Sequence, residues 1–135
     1  MTHRPAAWFL IVGLVIAVSS SALLVAQNKR SISVVAKKYT YVVTDANGPE
    51  IRVKKDDLVT ITLTSQDIPH SFTISDEHYR IDRRVEPGKP VTFQFRADAA
   101  GDFEIKCTLT IDDRCARDLK GKLLVVDSKA DQPRR

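Results

Sequence analysis

The sequence predicts an all-β domain, a two-sheet antiparallel β-sandwich of seven or eight short strands, preceded by one N-terminal hydrophobic helix. Three observations predict it. From Ser31 onward the apolar residues recur with a period of two, not the 3.6 of a helix. Turn-forming clusters divide the chain at short intervals: DANGPE at 45–50, KKDD at 54–57, EPGKP at 86–90 and DAAG at 98–101. No helical period interrupts the series, and many short strands separated by turns are the signature of a sandwich.

The hydrophobic helix is expected in residues 1–30. Ala6 to Ala26 form a 21-residue run without a charge, after a short start carrying Arg4. That length can cross a bilayer as one helix. It is long for a cleaved signal, and the small residues that would flank a cut, Ser20 with Ala22 or Leu24 with Ala26, make a weak site. The expectation is a membrane-anchored domain facing the periplasm or the cell exterior, with secretion after signal cleavage as the alternative. Lys29, Arg30, Lys37 and Lys38 follow the run and oppose this orientation, because positive flanks favour the cytoplasmic side.

The domain itself spans residues 31–127. SISVVAKKYTYVV (31–43) supplies β-branched and aromatic strand residues. In LVTITLT (58–64), Val59, Ile61 and Leu63 face one way and the threonines the other. PHSFTI (69–74) aligns His70 with Phe72 and Ile74. VTFQFR (91–96) aligns Val91, Phe93 and Phe95, and DFEIKC (102–107) aligns Phe103, Ile105 and Cys107. KLLVV (122–126), apolar on both faces, reads as a central strand. Residues 128–135, SKADQPRR, read as a flexible tail.

Charge excludes one class of partner. The isoelectric point near 9.2 comes from the flanks, since residues 31–127 hold 15 basic against 16 acidic side chains. No basic patch interleaves with aromatics, so a nucleic-acid partner is not expected. Catalysis by the chain alone is not expected either. The adjacent pairs Asp112/Asp113 and Asp76/Glu77 point apart and serve to solvate turns. No Ser/His/Asp set, phosphate-binding glycine loop or nucleotide motif is present.

Chemistry is concentrated in three residues. Cys107 is the last core-facing position of its strand, and His70 is core-facing after Pro69, which imposes an extended approach. The other cysteine, Cys115, closes the stretch CTLTIDDRC (107–115). Three fates are open to the cysteines: metal ligation, a Cys107–Cys115 disulfide, or inert thiols. An exported protein is oxidised, and closing a nine-residue loop stabilises by roughly 2 to 3 kcal/mol in the chain-entropy model. His78, between acidic neighbours, is an outside candidate for a further ligand, and His3 precedes the apolar run.

VKKDDLVTITLTSQDIPHSFTI (53–74), EPGKPVTFQF (86–95), AGDFEIKC (100–107) and GKLLVV (121–126) together resemble the cupredoxin superfamily. Within it they resemble most the copper-binding domain of cytochrome c oxidase subunit II and its small stand-alone relatives. The resemblance covers nearly all of 31–127 and implies a Greek-key β-sandwich with His70 and Cys107 as copper ligands at one end. The oxidase pattern continues with a cysteine four residues on, a histidine eight on and a methionine eleven on. Those offsets from Cys107 fall here on Ile111, Cys115 and Asp118, and counting back from GKLLV puts the methionine place on Leu119. With the second histidine and the methionine missing, neither a two-copper centre nor an ordinary blue site can be written. What remains is His70, Cys107 and Cys115, a soft set suited to one Cu(I) ion, or to zinc with a fourth ligand. The resemblance further implies a respiratory or copper-trafficking partner, and a role as an electron-transfer or accessory subunit instead of an enzyme.

Overall fold

Strand parity decides which side chains are enclosed, and the computed structural model, which describes residues 27–46 and 48–127, arranges them accordingly. One sheet has the order β2 (Thr40–Val43), β1 (Lys29–Lys37), β4 (Leu58–Ser65), β7 (Val91–Arg96). The other has the order β3 (Glu50–Lys54), β9 (Lys120–Val126), β8 (Gly101–Lys106), β5 (His70–Ser75), β6 (Arg80–Val85). Val59, Ile61 and Leu63 are fully enclosed, and Phe72, Ile74, Phe103, Ile105 and Cys107 face them from the second sheet. Phe72 stands at the centre, its ring 6.0 Å from Tyr41 and 5.4 Å from Phe93 in tilted, edge-on arrangements. Such pairs add about 0.5–1.5 kcal/mol each beyond the area they bury. β9 lies between β3 and β8, as its apolar faces predict.

Three features differ from the sequence expectation. Nine strands are present where seven or eight are expected, because RIDRRV (80–85) forms β6, an edge strand with Arg80, Arg83 and Arg84 exposed and only Ile81 and Val85 enclosed. Two strand pairs are parallel, which corrects the all-antiparallel reading: β1 with β4 from Lys29↔Leu58 to Ala36↔Ser65, and β3 with β9. The chain leaves β1, turns back along β2, crosses to the other sheet as β3 and returns as β4, so parallel neighbours arise without a helical crossover. A six-residue helix, α1 (Asp113–Asp118), also interrupts the β pattern. It is too short for a period to show, and it starts on Asp112, whose carboxylate accepts the Arg114 N–H at 2.9 Å.

The apolar run Ala6–Ala26 and the tail from residue 128 lie outside the described residues. Among the described residues no helix is long and apolar enough to cross a membrane.

Strand direction gives the sandwich two chemically distinct ends. The ends of β1, β4 and β8 and the starts of β5 and β9 meet at one rim; the starts of β1 and β4 and the ends of β3, β5 and β9 meet at the other. Gly121 holds β9 close to its surroundings at the first rim: a Cβ built there would lie 2.9 Å from the Pro49 carbonyl oxygen and 3.0 Å from the Tyr41 ring. Gly121→Ala is therefore expected to destabilise the domain by about 1–3 kcal/mol, read as a lowered denaturant midpoint at unchanged slope.

Candidate metal centre

Pro69 cannot donate to a ladder, so β5 begins abruptly at His70 with the ring turned into the core. The ring is fully enclosed. A buried imidazole needs both nitrogens satisfied, and the two are met differently. Nε2 lies 2.7 Å from Asp67 Oδ1, and Nδ1 lies 3.4 Å from Cys115 Sγ. Asp67 is itself fixed: its Oδ2 accepts the Lys38 N–H at 2.7 Å and its Oδ1 the Ile68 N–H at 2.7 Å. With the carboxylate, an acceptor, on Nε2, the hydrogen-bond pattern places an N–H there, and Nδ1 faces the sulfur.

Cys107 directly follows β8, and its N–H donates to the Leu119 carbonyl at 3.3 Å. Cys115 sits on the inner face of α1. Both are almost completely buried. They are joined by a disulfide with Cα atoms 5.4 Å apart. Of the three open fates the structure shows the disulfide, and no cysteine is free among the described residues. The ligand atoms of His70, Cys107 and Cys115 all lie within 4.8 Å of one another.

Two sets of contacts hold these elements together. Between β5 and β8 only Thr73↔Lys106 pairs in register. Hydroxyls add ties: Ser71 Oγ accepts the Thr108 N–H at 2.8 Å and lies 3.2 Å from both Thr73 Oγ1 and Thr108 Oγ1. On the outer side, the turn after β1 grips both flanks of the centre. Lys38 holds Asp67 through its N–H, and Tyr39 holds α1, donating its hydroxyl to Asp112 Oδ2 at 2.9 Å while the Arg114 guanidinium lies 4.1 Å over its ring. The hydrogen bond to Asp112 raises the Tyr39 pKa, and the Arg114 N–H and the Tyr39 hydroxyl lower that of Asp112.

The remaining sequence candidates fall elsewhere. Ile111 is solvent-exposed, Asp118 pairs with Arg114 and Arg117 on the outer face of α1, and Leu119 is fully buried but offers no side-chain donor. His78 lies in the turn after β5, at the opposite end of that strand from His70, with its imidazole 3.7 Å from Glu77. It is too distant to complete the centre. Asp112 caps α1, and Asp76 Oδ1 accepts the His78 N–H. Sequence reasoning missed Asp67, although it stands three residues before His70 in SQDIPH; a carboxylate one turn from a buried histidine is the signal that could have found it. It also missed Tyr39, Ser71 and Thr108, whose roles depend on distant partners.

The described residues thus form a two-sheet sandwich with a histidine and two cysteines gathered at one rim. The chain belongs to the family described as the cupredoxin-like domain, whose model matches residues 7–125. Among solved structures, a heme-copper terminal oxidase matches with TM-score 0.60 at 21% identity, over 76% of this chain and 68% of that chain. The periplasmic domain of subunit II of the cytochrome oxidase of Bradyrhizobium japonicum matches with TM-score 0.60 at 17% identity, over 74% and 86% of the two chains. Subunit II of a cytochrome c oxidase, in a mixed-disulfide intermediate with a thioredoxin-like protein, matches with TM-score 0.59 at 18% identity, over 74% and 84%. At these identities the likeness is one of fold. No curated protein matches the sequence.

Burial acts to raise the Asp67 pKa, but the hydrogen bonds from His70, Lys38 and Ile68 outweigh it and hold the carboxyl below its ordinary value. A depressed folded-state pKa contributes stability above the unfolded-state value, and that contribution is lost as pH falls through the folded value. Asp67→Ala is expected to leave His70 Nε2 without a partner, at a cost of about 1–3 kcal/mol, and to flatten the acid limb of the stability curve. Denaturant melts of both proteins between neutral pH and pH 3 measure the difference.

Proposed function

We propose that the chain is an exported, membrane-anchored cupredoxin that holds one copper ion through His70, Cys107 and Cys115, in periplasmic copper handling or in electron transfer near a respiratory chain. The observation that carries this reading is the convergence of three buried ligand atoms within 4.8 Å at one rim. The donor set fits the ion once the disulfide is reduced. His70 Nε2 is taken up by Asp67, and Nδ1, which faces Cys115 Sγ at 3.4 Å, is the nitrogen placed to ligate. Two thiolates beside it make a soft, three-donor set that suits Cu(I). Bound copper would supply a one-electron couple. The two thiolates favour its reduced form, which supports holding over shuttling.

The chain's own residues perform the remaining steps. Asp67 keeps the proton on Nε2, and the turn at Lys38 and Tyr39 keeps Asp67 and α1 in place. Opening the disulfide takes two electrons and two protons and yields two thiols; a dithiol donor supplies both and is left as its own disulfide. Metal binding by both sulfurs as thiolates then releases two protons. A thioredoxin-like protein is one donor of this class, since a fold relative forms a mixed disulfide with one. On this reading the chain is a carrier or an accessory subunit of an oxidase-like complex, with no reaction of its own.

The disulfide also supports a second reading, a metal-free accessory or interaction domain in which Cys107–Cys115 staples the loop. Copper(I) titration of the full chain under anaerobic conditions, against a chromogenic chelator, separates the two. The leading reading expects one equivalent bound by the reduced protein and none by the disulfide form. It expects His70→Ala to weaken binding by more than the about 10–100-fold that loss of a supporting partner costs. If the reduced protein binds no copper, or binds it equally well without His70, the staple reading stands. Cys115→Ser is then expected to cost roughly 2 to 3 kcal/mol of stability and His70→Ala to leave copper behaviour unchanged.

A further inference from the structure

The rim opposite the cysteines has a chemistry of its own. A groove of about 420 Å³ opens between the start of β1 and the end of β3, lined by Asn28, Lys29, Arg30, Arg52, Lys54 and Asp57 among others. Four of these are cations, and all four are exposed. The one acid, Asp57, is buried and its Oδ2 accepts the Lys54 N–H at 3.0 Å. The ion pairs of Arg84, Lys89, Arg114, Arg117, Lys120 and Lys122 lie elsewhere on the domain. The fold assembles this charge from two strands in different sheets, so it is not simply a basic flank carried by the end of the chain.

Its position says what it meets. The uncharged run ends at Ala26, and β1 begins at Lys29, three residues later. Three residues span at most about 11 Å, and the polar layer outside the hydrocarbon core is about 5–7 Å deep on each side. A chain anchored through Ala6–Ala26 would therefore hold the groove at the level of the lipid phosphates.

We infer that this groove binds the headgroups of anionic phospholipids at the membrane surface, seating the domain with the His70, Cys107 and Cys115 rim pointing away from the bilayer. The inference rests on the anchored reading above. Each phosphodiester offers acceptor oxygens to a guanidinium or ammonium group, and Arg30 and Arg52 can engage them in pairs. The arrangement also gives the cations after the apolar run a use on the outer side, where the charge rule alone would not place them.

The test uses the full chain mixed with vesicles of phosphatidylcholine alone or with added phosphatidylglycerol. Flotation reports anchoring, and the acylation rate of Lys29 by a water-soluble amine reagent reports the groove. The expected result is flotation with both lipids, and slower acylation only where phosphatidylglycerol is present. Arg52→Gln with Lys54→Gln should float as well but reduce that protection roughly ten- to thirty-fold. Arg84→Gln with Lys89→Gln, which removes two cations from the opposite rim, should keep it. Equal acylation in the two lipids, protection that survives the groove variant, or equal protection by inorganic phosphate overturns the inference. Flotation only with phosphatidylglycerol would support the groove and contradict the anchor. Flotation with neither would overturn both.

Discussion

A fully enclosed histidine is tolerated only if both ring nitrogens are met, and the rim of this sandwich is organised around that requirement. His70 enters the core because Pro69 ends the preceding loop and strand parity turns the ring inward. Asp67 then settles Nε2, which leaves Nδ1 to be settled by whatever Cys115 presents. A thiol can donate to it weakly, and a copper ion can share its lone pair. In the oxidised centre Nδ1 is met by Cys115 Sγ at 3.4 Å, and that direct contact is the physical reason to treat the three residues as one centre.

The scaffold makes the juxtaposition rigid from two sides. β5 and β8 bring His70 and Cys107 to the same rim, with Ser71, Thr73 and Thr108 tying the strands where backbone pairing is sparse. Cys115 reaches the rim on α1, whose entry is fixed by Asp112 and by the Tyr39 clamp. Because the histidine and methionine offsets of the oxidase pattern are occupied by Cys115 and by Asp118 or Leu119, the rim keeps soft donors and loses the weak axial one. On the proposed copper reading, that exchange would favour retention of Cu(I) and would make the oxidation state of the cysteines the variable that opens or closes the site.

Much of this was legible in the sequence, for a physical reason: alternation of period two is imposed by the pleat, so Val59, Ile61, Leu63, Phe72, Phe103 and Cys107 could be assigned to the core by parity alone. Parity also turned His70 inward. It could not say that His70 and Cys107 share a rim, because that depends on strand order, and there the family resemblance supplied the step. β6 was not read because its polar side chains, an edge strand's defence against pairing, erase the alternation. The parallel pairs and α1 were not legible because pairing partners and a single helical turn leave no local period. Asp67 was in view but unassigned, since its role appears only once His70 is known to be buried.

The central claim is that His70, Cys107 and Cys115 form one copper centre that the disulfide closes. X-ray absorption at the copper edge, on the reduced full chain loaded with one equivalent of Cu(I), tests it most directly. The account predicts a three-coordinate ion with two sulfur neighbours and one imidazole nitrogen, and loss of the nitrogen shell in His70→Ala. A spectrum with no sulfur neighbours, or one unchanged by removal of His70, would contradict it.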